Sequence, residues 1–306
     1  MNLFHILVTY RGKHHNFIEK KMKSYYHVSS HGLERKDIFR TREDFIAGMN
    51  DIAICALGFD VRILCFCLMS NHFHFVLYGT YQECSGFSEE YKRRCAVCMR
   101  RGHGEVQGMK AVDLNISEIT GQDYLENVIA YVMRNPLAAG ICVMPYNYPW
   151  SSAAVYFGGS NCDGGSRLND MSDRKRFRIL KSRFEVPDNY VVDDNGMVLP
   201  SCYVDSVLVE KIFRHPSRLL MLLARKIEND VELHLGIADQ VSMTDQDILT
   251  QLPVLIRKEF RKDTIEQLSM EQRIKLCLLL KKNYRSGVKQ IARITRLDPG
   301  MVAKVV

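Results

Sequence analysis

The sequence predicts an α+β protein: a split βαβ unit with an antiparallel sheet in its first half, then a mainly helical C-terminal region. Three observations lead there. Short β-prone runs alternate with amphipathic helical stretches as far as Trp150-Ser151-Ser152. A loop-forming segment, Gly158 to Ser166, then interrupts the pattern. From Tyr203 onward the apolar spacing is helical almost to the end.

The elements follow in order. Tyr25 to Ser30 is aromatic and β-prone, and His31-Gly32-Leu33 turns the chain. Thr41 to Leu57 carries Phe45, Ile46, Met49, Ile52 and Ala53 at helical spacing, with Thr41 as cap and Asp44 as its reciprocal partner. Phe59 to Met69 is a continuous apolar run of the kind buried on both faces. Ser70-Asn71 links it to a second strand, His72 to Tyr78. Residues 83–101 favour a charged helix, broken by Gly102, Gly104 and Gly108. Val106 to Ile119 holds a further strand, and Asp123 to Asn135 a helix ended by Pro136 and Gly140. Strand, helix, strand, strand, helix, strand, helix is the order of a ferredoxin-like sandwich, with helices on one face of the sheet.

This divides the chain into an extension (1–22), a catalytic-type domain (23–157), a basic linker (158–202) and a helical region (203–306). At the end, Ile291-Ala292 in one helix, a short turn and a second apolar helix form a candidate helix-turn-helix.

Composition excludes several classes. With 46% hydrophobic residues the chain can pack a core and is not wholly disordered. No apolar run approaches the roughly 20 residues that span a bilayer, and the N-terminus lacks the features of a signal peptide. The ten cysteines contain a single CxxC, Cys95 and Cys98, with no second pair to complete a zinc set. Reduced thiols in a cytoplasmic protein are the expectation. The net charge is +7. Two basic clusters stand out: Lys92, Arg93, Arg94, Arg100 and Arg101; and a run from Arg174, Lys175 and Arg176 to Arg178, Lys181 and Arg183. Either alone reads as a solvated helix face; together they favour a phosphate backbone as partner.

The chemistry concentrates in two places. On a strand, His72 and His74 share one face while Phe73, Phe75 and Leu77 take the other. Two imidazoles at this spacing suit a divalent metal, although a bare His-x-His is a weak signal. On the later helix, Asn127, Tyr131 and Asn135 recur every four residues and form one stripe. Alone, such a tyrosine reads as structural.

In combination these residues resemble the single-tyrosine, His-hydrophobic-His (HUH) transposases, in particular the REP-associated tyrosine transposases. The resemblance runs from Ser24 to Ser152. It comprises the YHVSSHG opening, the apolar strand entering LMSNHFHFVL, the basic helix after it, and YVMRNPLAAG with YPWSS. It implies a ferredoxin-like catalytic core with His72 and His74 as metal ligands, Tyr131 as nucleophile and Asn135 as the amide that completes the site. It implies Mg²⁺ or Mn²⁺ as cofactor, single-stranded or hairpin DNA as partner, and a 5′-phosphotyrosine intermediate. No nucleotide cofactor is expected, and the chain has no GxxxxGK[ST] loop. It acts as a monomer or homodimer in this reading. Two positions depart from the family pattern: Met133 stands where members often have His, and His31 where they often have Arg. Residues 1–21 match no family element, so Met22 is a candidate start. The alternative from another class is a domesticated, catalytically weak regulator that binds hairpin DNA.

Overall fold

The computed structural model describes residues 22–31, 37–103, 109, 112–158, 165–225, 231, 243, 245–284 and 286–306. The expectation about a start at Met22 concerns residues that lie outside this set. The first half is an α+β unit built from β1 (Ser24–His31), α1 (Arg42–Gly58), β2 (Arg62–Leu68), β3 (Phe73–Gly79), α2 (Tyr81–His103), β4 (Asp113–Ile119) and α3 (Gln122–Ala138). The four strands form one sheet in the order β2-β3-β1-β4, every neighbouring pair antiparallel. Ser29 lies opposite His74 and His27 opposite Val76, so β1 and β3 share their faces in register.

One face of the sheet carries α1 and α2. Thr41 caps α1 as its sequence suggests: its hydroxyl accepts the Asp44 N–H at 3.2 Å, and Asp44 accepts the Thr41 N–H at 2.9 Å. Gly48 lets α1 approach closely, because a Cβ there would meet the Phe39 ring at 2.5 Å and Leu68 at 3.2 Å. From α2, Tyr91 meets Phe73 and Phe75 edge-to-face with centroids 4.9 and 5.0 Å apart. Alternation along β3 thus sends its phenylalanines into the helix layer and its histidines to the opposite face.

That opposite face carries α3. Pro136 does not end this helix but sits inside its last turn. Only the N–H that would have bonded back is missing, and the helix stops two residues later, at Ala138. Gly140, at φ +72°, makes the reversal: its N–H donates to Leu137 O, and Ile141 N–H donates to Pro136 O. This pair of bonds is a Schellman closure.

The Tyr148-Pro149-Trp150-Ser151-Ser152 stretch straps the edge of β2. Leu68 N–H donates to Trp150 O and Ser152 N–H to Phe66 O, and Tyr148 Oη donates to Leu68 O. Backbone groups that would stand open on an edge strand are satisfied in this way. Trp150 stacks on Phe45 at 4.9 Å, tying the strap to α1.

The stretch read as a basic linker is packed where it is described. It holds β5 (Ser166–Arg167), α4 (Asp173–Leu180) and β6 (Val191–Val192), with β5 and β6 paired antiparallel. Buried Asn50 of α1 clamps it, donating to Gly196 O at 2.9 Å and accepting the Val198 N–H at 2.7 Å. Tyr203 stacks on Phe66, and Val204 bridges to Ile63 of β2. Among the described residues six further α-helices follow: α5 (Ser206–Phe213), α6 (Pro216–Ala224), α7 (Asp245–Phe260), α8 (Met270–Tyr284), α9 (Val288–Thr295) and α10 (Pro299–Val302). In the candidate helix-turn-helix, α9 has eight residues and α10 is a single turn of four, capped by Asp298. Among the described residues no helix is long and apolar enough to cross a membrane. All nine described cysteines are free thiols.

Candidate active site

A tight hairpin presents the two histidines. Met69 N–H donates to His72 O at 2.8 Å and closes the Ser70-Asn71 link. Ser70 O is held by the N–H groups of Ile38 and Phe39 at 2.6 and 2.9 Å, so the turn does not swing freely. His72 stands just before β3 and His74 within it, on the same face, with ring centroids 5.1 Å apart and planes nearly perpendicular. Asn71 Oδ1 lies 2.7 Å from His72 Nδ1. As that acceptor, it places the His72 proton on Nδ1 and leaves the Nε2 lone pair for a ligand.

Tyr131 comes down from α3 onto this pair. Its ring lies 5.5 Å from that of His74, edge-to-face. Asn135, one turn on, donates from Nδ2 to Tyr131 O at 3.2 Å. That bond uses the amide nitrogen, so Oδ1 is the atom of Asn135 suited to a cation. His72, His74, Tyr131 and Asn135 are all buried, none more than 3% exposed.

The structure adds a residue that sequence reasoning missed. His27, on β1, is fully buried in the same cluster. Its Nε2 is 3.1 Å from His74 Nδ1, and its ring is 6.1 Å from Tyr131. Complete burial pushes His27 down to about 3, so it stays neutral at ordinary pH. Among the described residues nothing hydrogen-bonds its Nδ1. Period-two alternation puts His27 and Ser29 on one face, but only the β1-β3 pairing brings that face to His74.

Further along α3, Arg134 is buried and donates to Leu223 O of α6, while Arg218 of α6 bonds Glu126 at 2.7 Å. Gln122 donates to Ile212 O of α5 at 3.1 Å. Helices α5 and α6 thus dock on the side of α3 away from the sheet, while Tyr131 is fully buried on the side that faces His27 and His74.

The basic residues are placed unequally. Arg94 is held in the interior: its Nε is 2.6 Å from Asp51 Oδ1, and it donates to Leu180 O at 3.1 Å. Arg93 is exposed and bidentate to Glu90, with both contacts at 2.6 Å. Lys92 is half-buried, 4.0 Å from Glu89. Arg100 is exposed, and the side chain of Arg101 lies outside the described residues. On α4, Arg174 and Lys175 are exposed, and Arg176 pairs with Asp173. Helix α4 packs on α1, on the side of the sheet away from Tyr131.

As for a metal, the described residues contain no cluster of three or more His, Cys, Asp and Glu placed to hold an ion. The donors that the geometry brings together are two imidazoles, with His72 oriented by Asn71 and His74 by His27. Paired imidazoles are donors that fit a divalent transition-metal ion.

Neither the protein-family models nor the curated proteins contain a match to this chain. Among solved structures it is similar to a REP-associated tyrosine transposase bound to a REP hairpin. That similarity has 16% identity and a TM-score of 0.36, and covers 50% of this chain and 90% of the other.

Proposed function

We propose that this protein cuts and rejoins single-stranded DNA beside a hairpin, with Tyr131 as nucleophile and a divalent metal held by His72, His74 and Asn135. One observation carries the reading. An imidazole pair on a strand and a tyrosine on a helix, far apart in sequence, meet on one sheet face with rings 5.1 and 5.5 Å apart. The five sequence elements from Ser24 to Ser152 support the same family.

A bound Mg²⁺ or Mn²⁺ would supply charge neutralisation at the scissile phosphate. The protein's own residues do the rest. Tyr131 Oη attacks the phosphorus, a phosphotyrosine O–P bond forms, the P–O3′ bond breaks, and the tyrosine proton is balanced by the one that ends on the 3′-OH. A 3′-OH can then attack the phosphotyrosine and restore a phosphodiester, so bond energy is conserved without a nucleotide cofactor. His27 acts as a positioning residue: by accepting the Nδ1 proton of His74, it leaves the His74 Nε2 lone pair for the ion.

The site is closed, and DNA reaches Tyr131 only when the covering segments move. That closure is the observation that favours a second reading, a catalytically weak regulator that binds hairpin DNA through its basic surface. Incubating the full chain with a 3′-labelled hairpin oligonucleotide and Mn²⁺, followed by a denaturing gel, separates the two, because the phosphotyrosine keeps the fragment on the 3′ side of the cut. A covalent adduct that disappears in Tyr131→Phe supports the enzyme. Hairpin binding with no adduct at any metal concentration supports the regulator.

A further inference from the structure

The chain carries a second cluster that the chemistry of Tyr131 does not use. Helix α4 is capped at its C-terminus by Lys181, whose backbone is left-handed at φ +50° with its N–H donated to Phe177 O. A non-glycine residue in that conformation costs about 1–2 kcal/mol. Its effect is to fold the chain back so that Arg183 and Phe184 return beside the helix. Between the two limbs lies a cleft of about 560 Å³, lined by Arg174, Arg176, Phe177, Leu180, Arg183 and Phe184. That is within the roughly 300–1,000 Å³ range of small-ligand sites.

Two features separate this cleft from an ordinary charged helix face. Phe177 and Phe184 are 47% and 55% exposed in its walls, where burial would be favoured by about 1.5–3 kcal/mol for each such side chain. The Arg183 guanidinium stands 5.9 Å over the Phe177 ring, so cation and aromatic face are presented together. Six of the ten residues from Arg174 to Arg183 are cationic. Only Asp173 in the cleft lining opposes them, and it is paired with Arg176.

We propose that this cleft binds unpaired nucleotides of single-stranded nucleic acid, with bases stacked on Phe177 and Phe184 and phosphates held by Arg174 and Arg183. Flat apolar faces alternating with cations match alternating bases and phosphates, and every base offers a stacking face. A duplex buries its base faces in its own stack, so it would gain the cations but not the phenylalanines. The cleft lies across the sheet from Tyr131, so it holds a segment flanking the hairpin and not the phosphate under attack. The choice of ligand rests on the DNA reading above, but the test does not.

The probe is a short fluorescent oligothymidylate titrated into the full chain. Phe177→Ala with Phe184→Ala should weaken binding about tenfold or more, since each stacked base is worth a comparable factor, and leave the salt dependence unchanged. Arg174→Ala with Arg183→Ala should flatten the slope of log affinity against log salt by about 1.4, at about 0.7 per phosphate. All four side chains face the cleft, so the melting temperature should hold in both variants. Unchanged affinity in the phenylalanine variant overturns the proposal. So does equal binding of the same sequence as a duplex, or of an acidic peptide. Failure of the wild-type chain to form any Tyr131 adduct would remove the cleavage reading and leave the oligothymidylate result standing.

Discussion

Removing the His27 ring should weaken metal binding without touching a ligand. In the folded chain its Nε2 lies 3.1 Å from His74 Nδ1, and both rings are fully buried. With the His74 proton on Nδ1, as proposed, His27→Ala removes its acceptor, and a buried donor left unsatisfied costs about 1–3 kcal/mol. The molecule can relieve this by moving the proton to Nε2, which removes the lone pair that would face the ion. Loss of such a supporting partner typically lowers metal affinity by about 10–100-fold, equivalent to about 1.4–2.7 kcal/mol. His27→Gln returns an acceptor oxygen to the same region and should recover part of the affinity. The assay is Mn²⁺ titration of the full chain by electron paramagnetic resonance, with ¹⁵N-histidine NMR reporting the His74 tautomer. An Mn²⁺ affinity within twofold of wild type in a folded His27→Ala chain would refute the reasoning. So would a His74 that carries its proton on Nε2 in the Mn²⁺-free wild-type chain and keeps it there with a diamagnetic Mg²⁺ bound.

Three further outcomes follow from the same geometry. Tyr131→Phe should abolish the covalent adduct on a denaturing gel while leaving hairpin affinity within about twofold of wild type, because only the attacking oxygen is lost. Burial, reinforced by Asp247, pushes the Asp37 carboxyl up to about 6. A raised carboxyl favours the folded state when protonated, so its contribution is complete below the unfolded value of 3.8 and is lost as pH rises through about 6. Asp37→Asn should therefore raise the melting temperature at pH 7.5 and leave it unchanged near pH 4, as read by scanning calorimetry. Arg94→Ala should strip the buried Asp51 of its guanidinium and destabilise the fold by about 3–5 kcal/mol, measured by urea unfolding.

Local chemistry was enough to read much of this molecule. Thr41 and Asp44 mark the start of α1 because a capping box needs only four consecutive residues. The His-Phe-His alternation separates a polar from an aromatic face whatever the strand pairs with, and helical spacing puts Tyr131 and Asn135 one turn apart. Pro136 misled the boundary of α3, because a proline near the last turn costs only one hydrogen bond and the Gly140 reversal absorbs it.

What the sequence could not decide were partners distant along the chain. His27 joins His74 across 47 positions, and no periodicity within β1 announces which strand will lie beside it. Arg94 looks like one more cation of a basic helix until α1 places Asp51 against it, 43 positions away. Tyr131 is buried because α3 lies on the sheet face that carries His27 and His74, and the 165–204 stretch packs because Asn50 offers its backbone a buried donor and acceptor. In the polar cases burial costs free energy until a partner far along the chain satisfies the buried group, and that compensation does not exist until the tertiary fold brings the two together.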